Sequence, residues 1–293
     1  MLSILITTYR EAHTIGRALE AFLPQLPADG EMVVVCPDVE TTAVIQQYAA
    51  QYPAIRHIPD PGQGKPTAVN IGLQAARGDL IVLSDGDVVV GERALAHLLA
   101  PFADPQVGAV TGRPVSISPR DAKLGYWSHL LVEGAHRARL ARDAAGQFLL
   151  CSGYLFAARK SLIPRLPADA LAEDAVLSHR IAEQGHAIRY APAAEVYVKY
   201  PTTYADWRRQ KIRSAGGYAQ DYVRRSPFQM RSARQEIQHG FWHALTFAQT
   251  PREMWWTLQL FAARLHLWAS VWWQVRVRQR PLPDLWQRVE STK

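Results

Sequence analysis

Cysteine is almost missing from this chain of 293 residues: Cys36 and Cys151 stand far apart, in no CxxC pair and no Cys/His cluster. That suggests neither a disulfide framework nor a zinc site and makes a reducing compartment the expectation. The N-terminal "MLSILITTYR" has no basic segment before its apolar run, so no secretory leader is expected and a cytoplasmic location is. No GxGxxG follows the first strand-like run, which argues against a dinucleotide dehydrogenase. Acidic residues are scarce in one region only. Residues 208–293 hold 15 Lys+Arg against 5 Asp+Glu, residues 1–207 hold 18 against 21, and the net charge is +7. No recognisable nucleic-acid module accompanies the basic region, so nucleic acid is not expected as a partner.

What is present is the composition of a globular core, 48% hydrophobic, sufficient for one large α/β domain with or without an appendage. Strand-like runs at 3–9, 31–37, 54–59 and 80–84 alternate with helical periodicity at 11–25, 40–52 and 65–77. Short connections between alternating strands and helices predict a mostly parallel sheet covered on both faces. A second group follows: a strand at 107–116, a helix from Lys123 to Arg142, a strand-like stretch at 148–163, and a helix opened by Glu173 and Asp174 that runs into another strand at "GHAIRY".

In open α/β sheets ligands sit beyond the carboxyl ends of the strands. Thr7, Tyr9 and Glu11 follow the first strand, Asp38 the second, and Asp85 and Asp87 the fourth, so all are expected along one rim. In "LIVLSDGDVVV" the two aspartates at i and i+2 of an extended segment would share a face roughly 6.5 to 7 Å apart. Two carboxylates so placed repel and raise each other's pKa unless a cation lies between them. Glu173 and Asp174, in a first helical turn, are also explained by favourable interaction with the helix dipole.

Five segments, in order, resemble the family 2 glycosyltransferases of the GT-A fold: "ILITTYREAHTIGRAL", "GKPTAVNIGLQAARGDLIVLSDGD", "CSGYLFAARKSLI", "AEDAVLSHRIAEQGHAIRYAP" and "RRQKIRSAGGY". The resemblance covers residues 2–218 and implies a Rossmann-like nucleotide-binding fold. It places Thr7, Tyr9 and Glu11 at the nucleotide, Asp38 near the base and Lys65 close to the nucleotide pocket. It makes Asp85 and Asp87 a DxD that holds Mn2+ or Mg2+ against the diphosphate of a UDP-sugar. It implies inversion with Asp174, in the "ED" pair with Glu173, as catalytic base, and a QxxR element in Gln210 and Arg213. Two departures stand out: Ser214 occupies the place of a tryptophan, and Val198 and Lys199 stand where many relatives have a metal-ligating histidine. For Lys199, phosphate contact and a solvated strand lysine are both open. Gly153 suits close backbone approach to the donor sugar or acceptor, or a turn at the start of a strand.

Seven of the nine tryptophans fall at or after Trp242. In residues 253–280, Leu258, Phe261, Leu265, Trp268, Trp272 and Val275 form one helical stripe, with Gln259, His266, Ser270 and Gln274 opposite. Arg264 and the polar residues interrupt any bilayer-spanning run. An in-plane helix at an anionic membrane surface, packing on the catalytic domain, and packing on a second subunit are the readings this pattern supports.

The expectation is therefore a catalytic domain at 1–218 and a basic, Trp-rich helical region at 219–293. The function expected is a metal-dependent inverting hexosyltransferase using a nucleotide-sugar donor and a lipid-linked or cell-envelope glycan acceptor, peripheral on the cytoplasmic membrane face. The competing expectations are a soluble acceptor with a dimerising tail, and a sugar-nucleotide-binding protein without turnover. The sequence specifies neither the sugar nor the oligomeric state.

Overall fold

The computed structural model describes residues 1–228, 233–273 and 291–292. The chain forms two compact units, one of residues 1–114 and 149–198, the other of residues 115–148 and 199–292.

The first unit is built on a sheet of eight strands: β1 (Leu2–Thr7), β2 (Glu31–Cys36), β3 (Ile55–Pro59), β4 (Leu80–Asp85), β5 (Val89–Val90), β6 (Val107–Ser116), β7 (Leu155–Arg159) and β8 (Ala187–Val198). Their order is β3-β2-β1-β4-β7-β6-β8-β5. β3, β2, β1 and β4 run parallel, and β7 pairs antiparallel with both β4 and β6. Every residue of β1 and β2 is buried, which is why these strands read as continuous apolar runs rather than alternating ones. The crossovers are α1 (Ile15–Phe22), α2 (Val39–Gln51) and α3 (Lys65–Ala75); α4 (Ala94–Leu99) and α6 (Glu173–Glu183) complete the unit, α5 lying between them in sequence. The result is the α/β architecture expected from the sequence.

Register decides where the chemistry falls. Thr7 pairs with Val35 on one side and with Asp85 on the other, so the carboxyl ends of β1, β2 and β4 finish level. β7 begins directly after residues 151–154, and Ser84 pairs with Leu155, which brings that loop to the same edge.

At the opposite end of the parallel strands a buried carboxylate ties four segments together. Glu31 Oε1 accepts from Ser3 Oγ at 2.8 Å and from the Arg77 amide at 2.6 Å, while Oε2 accepts from Arg56 at 2.6 Å. Burial alone would raise its pKa, but these donors outweigh burial and hold it below the ordinary glutamate range.

The second unit is helical: α5 (Lys123–Ala144), α7 (Tyr204–Ala219), α8 (Asp221–Arg224), α9 (Ala233–Phe247) and α10 (Pro251–Trp272). Its core gathers Tyr126, Trp127 and Leu130 of α5, Trp207 of α7, Ala244 of α9, and Leu260 and Ala263 of α10. Polar clamps fix α10 against the start of α5. Arg120 meets both oxygens of Glu253 at 2.8 and 3.2 Å, Tyr126 Oη lies 2.7 Å from Thr257 Oγ1, and Trp127 Nε1 donates to the Trp256 carbonyl at 2.7 Å.

α10 shows which side of the tryptophan-rich helix packs inward. The buried side runs through Glu253, Thr257, Leu260, Ala263 and Leu267, and Leu258, Leu265 and Trp268 of the apolar stripe are exposed, together with Trp255 and Trp273. Phe261 of that stripe is partly buried against the core. The helix carries apolar residues on two sides, so period alone does not show which side turns inward. Gln274, Val275 and the rest of the stretch to residue 280 lie outside the described residues, as does the Trp272 side chain. Among the described residues, no helix is long and apolar enough to cross a membrane.

Replacing Glu31 with Ala leaves the Arg77 amide without its acceptor and Arg56 without its carboxylate, and is expected to cost about 3 kcal/mol in urea unfolding. Because the folded-state pKa of Glu31 is depressed, the difference between wild type and variant should be full at neutral pH and shrink as pH falls through the carboxylate range.

Candidate active site

The rim residues are held by short-range polar contacts that sequence order explains only in part. Asp38 caps α2: its Oδ1 accepts from the Thr41 amide at 2.9 Å, while Oδ2 accepts from the Arg10 amide at 2.6 Å and lies 3.4 Å from Cys36 Sγ. Burial pushes this carboxyl up, but the two amides outweigh it and set its pKa below normal. Arg10 has φ of 54°, a left-handed conformation that costs a non-glycine residue energy; the bond to Asp38 helps hold it there. The Arg10 guanidinium lies 5.2 Å from the centre of the exposed Tyr9 ring.

Glu11 is buried. Its amide donates to Thr41 Oγ1 at 2.8 Å and its Oε2 accepts from Thr8 Oγ1 at 2.7 Å. Gly86, between the two aspartates, packs on this pair: a Cβ there would come within 2.5 Å of Thr8 Oγ1 and 2.6 Å of Glu11 Oε2. The middle residue of the acidic turn is thus glycine for lack of space, a constraint with no signal in the local sequence.

β4 ends at Asp85, and Gly86 and Asp87 form a turn. The extended spacing expected between the aspartates therefore stops at Asp85, where the strand gives way to the turn. Asp87 remains near enough for its charge to act on Asp85. Burial raises the Asp85 pKa most, Lys65 opposes this, and Asp87 and Glu173 raise it further.

Lys65 joins the two acidic pairs. Gly64, at φ 99°, and Pro66 set the first turn of α3, and Lys65 Nζ lies 2.7 Å from Asp85 Oδ1 and 2.5 Å from Glu173 Oε1. Burial disfavours the ammonium, but the two carboxylates outweigh it and raise its pKa above the ordinary lysine value. Asn70, on the same helix, makes a reciprocal pair of 2.9 Å hydrogen bonds with the backbone of Leu166, holding the segment that leads into α6. Thr7, Lys65, Ser84, Gly153 and Glu173 line a small pocket whose floor is Leu5, Val69, Leu83 and Phe156.

Asp174 is gripped by backbone. Its Oδ2 accepts from the Gly153 amide at 3.0 Å and its Oδ1 from the Ala175 amide at 2.9 Å. Ser178 Oγ donates to the Asp174 carbonyl at 2.6 Å and accepts from the Cys151 amide at 2.9 Å, and the Ser152 amide donates to Thr111 Oγ1 at 2.9 Å. Gly153 packs closely on Asp174, a Cβ there lying 3.3 Å from Oδ2, while Ser178 and Thr111 were not anticipated, since the Cys151 and Ser152 amides they receive are remote in sequence. Burial, then the neighbouring Glu173 charge, push the Asp174 pKa up to about 6 against the opposing pull of Lys65 and the two amides. Such a carboxylate is suited to accept a proton near neutral pH.

Gln210 and Arg213 stand on α7 in the second unit, where Ser214 Oγ donates back to the Gln210 carbonyl at 3.1 Å. Lys199, after β8, is exposed.

Among the described residues no three His, Cys, Asp or Glu groups converge as a metal cage. The two oxygen-bearing side chains of the acidic turn suit instead a hard divalent cation that takes one or two carboxylates and completes its shell with phosphate and water.

The profile of the family described as glycosyltransferase-like family 2 matches residues 2–217. The chain belongs to this family. It is 29% identical over 231 residues to the "Probable glycosyltransferase YdaM" of Bacillus subtilis strain 168, and 25% identical over 228 residues to the poly-beta-1,6-N-acetyl-D-glucosamine synthase of Staphylococcus aureus strain COL. Each match covers 74% of this chain and 54% of the relative, so the chain spans about half the length of the curated relatives it matches. The fold is similar to that of a mannosyltransferase, PcManGT from Pyrobaculum calidifontis, solved with GDP-Man and Mn2+. The TM-score is 0.63 at 21% identity, covering 97% of this chain and 82% of that one. It is also similar to GalNAc-T7, solved with UDP, GalNAc and Mn2+, with TM-score 0.54 at 16% identity, covering 83% and 54%.

Replacing Gly86 with Ala must displace Thr8 or Glu11. An overpacking cost of about 1–3 kcal/mol is expected in thermal or urea unfolding, whereas Gly146→Ala, a control where a Cβ meets nothing within 4 Å but φ is 62°, should show only the smaller backbone penalty.

Proposed function

We propose that this protein is an inverting glycosyltransferase, its catalytic part within residues 1–218, that moves a hexose from a nucleotide-sugar, a UDP-sugar being favoured, to an acceptor hydroxyl. The observation that carries this reading is the Asp174 carboxylate, raised to about 6 and locked by the Gly153 and Ala175 amides, one residue from a glutamate that shares Lys65 with Asp85. Family membership supports transfer chemistry.

In this mechanism Asp174 takes the proton from the acceptor hydroxyl as that oxygen attacks the anomeric carbon from the face opposite the leaving group. The Gly153 amide keeps the receiving oxygen in place. Thr7, Tyr9, Glu11 and Asp38 form the nucleotide rim, Tyr9 offering an exposed ring and Asp38 shaping the loop through Arg10. Asp85 and Asp87 would hold Mn2+ or Mg2+ with the donor diphosphate, a cation that supplies neutralisation of leaving-group charge. The Mn2+ in the PcManGT and GalNAc-T7 structures supports that choice for the fold. Gln210 and Arg213 enter as leaving-group residues on their match to the family pattern alone.

For the acceptor we favour a lipid-linked or cell-envelope glycan at the cytoplasmic membrane face. The named activity of the Staphylococcus aureus relative supports a glycan acceptor. The exposed side of α10 supports a membrane: Trp255, Leu258, Leu265 and Trp268 are exposed there beside Arg252, while the helix's one acid, Glu253, is buried and paired with Arg120. An apolar, tryptophan-bearing face with cationic and no anionic groups fits the headgroup layer of anionic lipid.

Asp174→Asn is expected to lower turnover by on the order of 10²–10⁴ while leaving donor affinity near wild type; a variant with unchanged turnover would remove Asp174 from the chemistry. Since the base acts ionised, kcat/KM in wild type should be level above its pKa and fall tenfold per pH unit below about 6. In vesicle sedimentation, Trp255→Ser with Trp268→Ser should weaken binding to phosphatidylglycerol vesicles severalfold without altering hydrolysis of soluble donor; equal binding by both proteins would leave α10 to a protein partner.

A further inference from the structure

The ammonium of Lys65 already lies on the oxygen that a divalent cation would need. It is 2.7 Å from Asp85 Oδ1 and 2.5 Å from Glu173 Oε1, at the wall of the pocket that also exposes Thr7 and Gly153. Two cations on one carboxylate repel strongly in so enclosed a place. Three carboxylates, Asp85, Glu173 and Asp174, draw on this one lysine, and it is part of what makes their proximity tolerable. Lysine suits exchange: its ammonium is a point charge with three rotatable donors on a flexible stem, whereas an arginine fork would hold both carboxylates rigidly. The root of that stem is fixed by Gly64 and Pro66 at the start of α3, so only the tip need move.

We propose that Lys65 is an exchangeable counter-ion: it neutralises Asp85 and Glu173 until a nucleoside diphosphate and a divalent cation arrive together, then transfers its charge to the phosphate and yields Asp85 to the metal. Metal and nucleotide therefore bind cooperatively, and part of that coupling belongs to Lys65. The inference rests on the reading of Asp85 and Asp87 as metal carboxylates. Any coupling so produced is reciprocal, so nucleotide tightens metal binding by the same factor as metal tightens nucleotide.

The test is calorimetric titration of the full chain with Mn2+ alone, and with Mn2+ in saturating UDP or GDP. Lys65→Gln is expected to bind Mn2+ alone about tenfold more tightly than wild type and to lose a similar factor from the coupling, within the usual range of such effects. Lys65→Arg, which keeps the charge and grips both carboxylates, should bind Mn2+ alone no more tightly than wild type, and it remains informative if the glutamine variant does not fold. In a crystal structure of wild type with Mn2+ and UDP, Lys65 Nζ should have left Asp85 for a phosphate oxygen. Unchanged or weaker Mn2+ binding by Lys65→Gln, tighter binding by Lys65→Arg, or an Nζ still on Asp85 beside the bound ion would each overturn the exchange while leaving the metal site standing. Failure of wild type to bind Mn2+ with any nucleotide would instead remove the metal reading, and the exchange with it.

Discussion

Like charges do not collect in a folded protein without compensation, and the site is organised around that constraint. Asp85 and Asp87 arrive from the end of β4, Glu173 and Asp174 from the start of α6, and the cation between them comes from α3. Three elements that are separate in sequence are thereby obliged to end at one place. The reciprocal bonds of Asn70 to Leu166 and the alignment of β7 with β4 can be understood as the scaffolding of that meeting.

The compensation differs at each acid, and so do the consequences. Asp38 is satisfied by backbone amides and stays well ionised. Glu31, at the far end of the sheet, is held ionised by a hydroxyl, a guanidinium and one amide. Asp174 also receives two amides, but desolvation and the adjoining Glu173 charge outweigh them and it rises. Identical chemical groups thus become a cap, a structural tie and a carboxyl with a raised pKa according to how much water and which neighbours each retains.

Much of this was legible in the sequence, and the limits have physical causes. β1, β2 and β4 were readable because strands buried on both faces are continuous apolar runs. The two-residue β5 was not, since it exists through its pairing with Val196 and Tyr197. The rim position of Asp38 follows from strand order, and its capping of Thr41 is local. The partners of Lys65, Ser178 and Gly86 lie on distant elements, so their roles emerge only from tertiary packing. α10 shows the same limit differently: apolar residues occupy two of its sides, and the clamps through Arg120, Tyr126 and Trp127 decide which side is core.

The scarcity of cysteine has a practical side. Cys36 and Cys151 are both buried, and burial pushes the Cys36 thiol up to about 11, so at neutral pH it holds its proton and is a poor nucleophile. The chain is in effect a thiol-silent background. A single cysteine introduced on an exposed position, for instance beside Trp268, would be the preferred target of a maleimide spin label or fluorophore, so the surroundings of α10 can be read in solution without first rebuilding the protein.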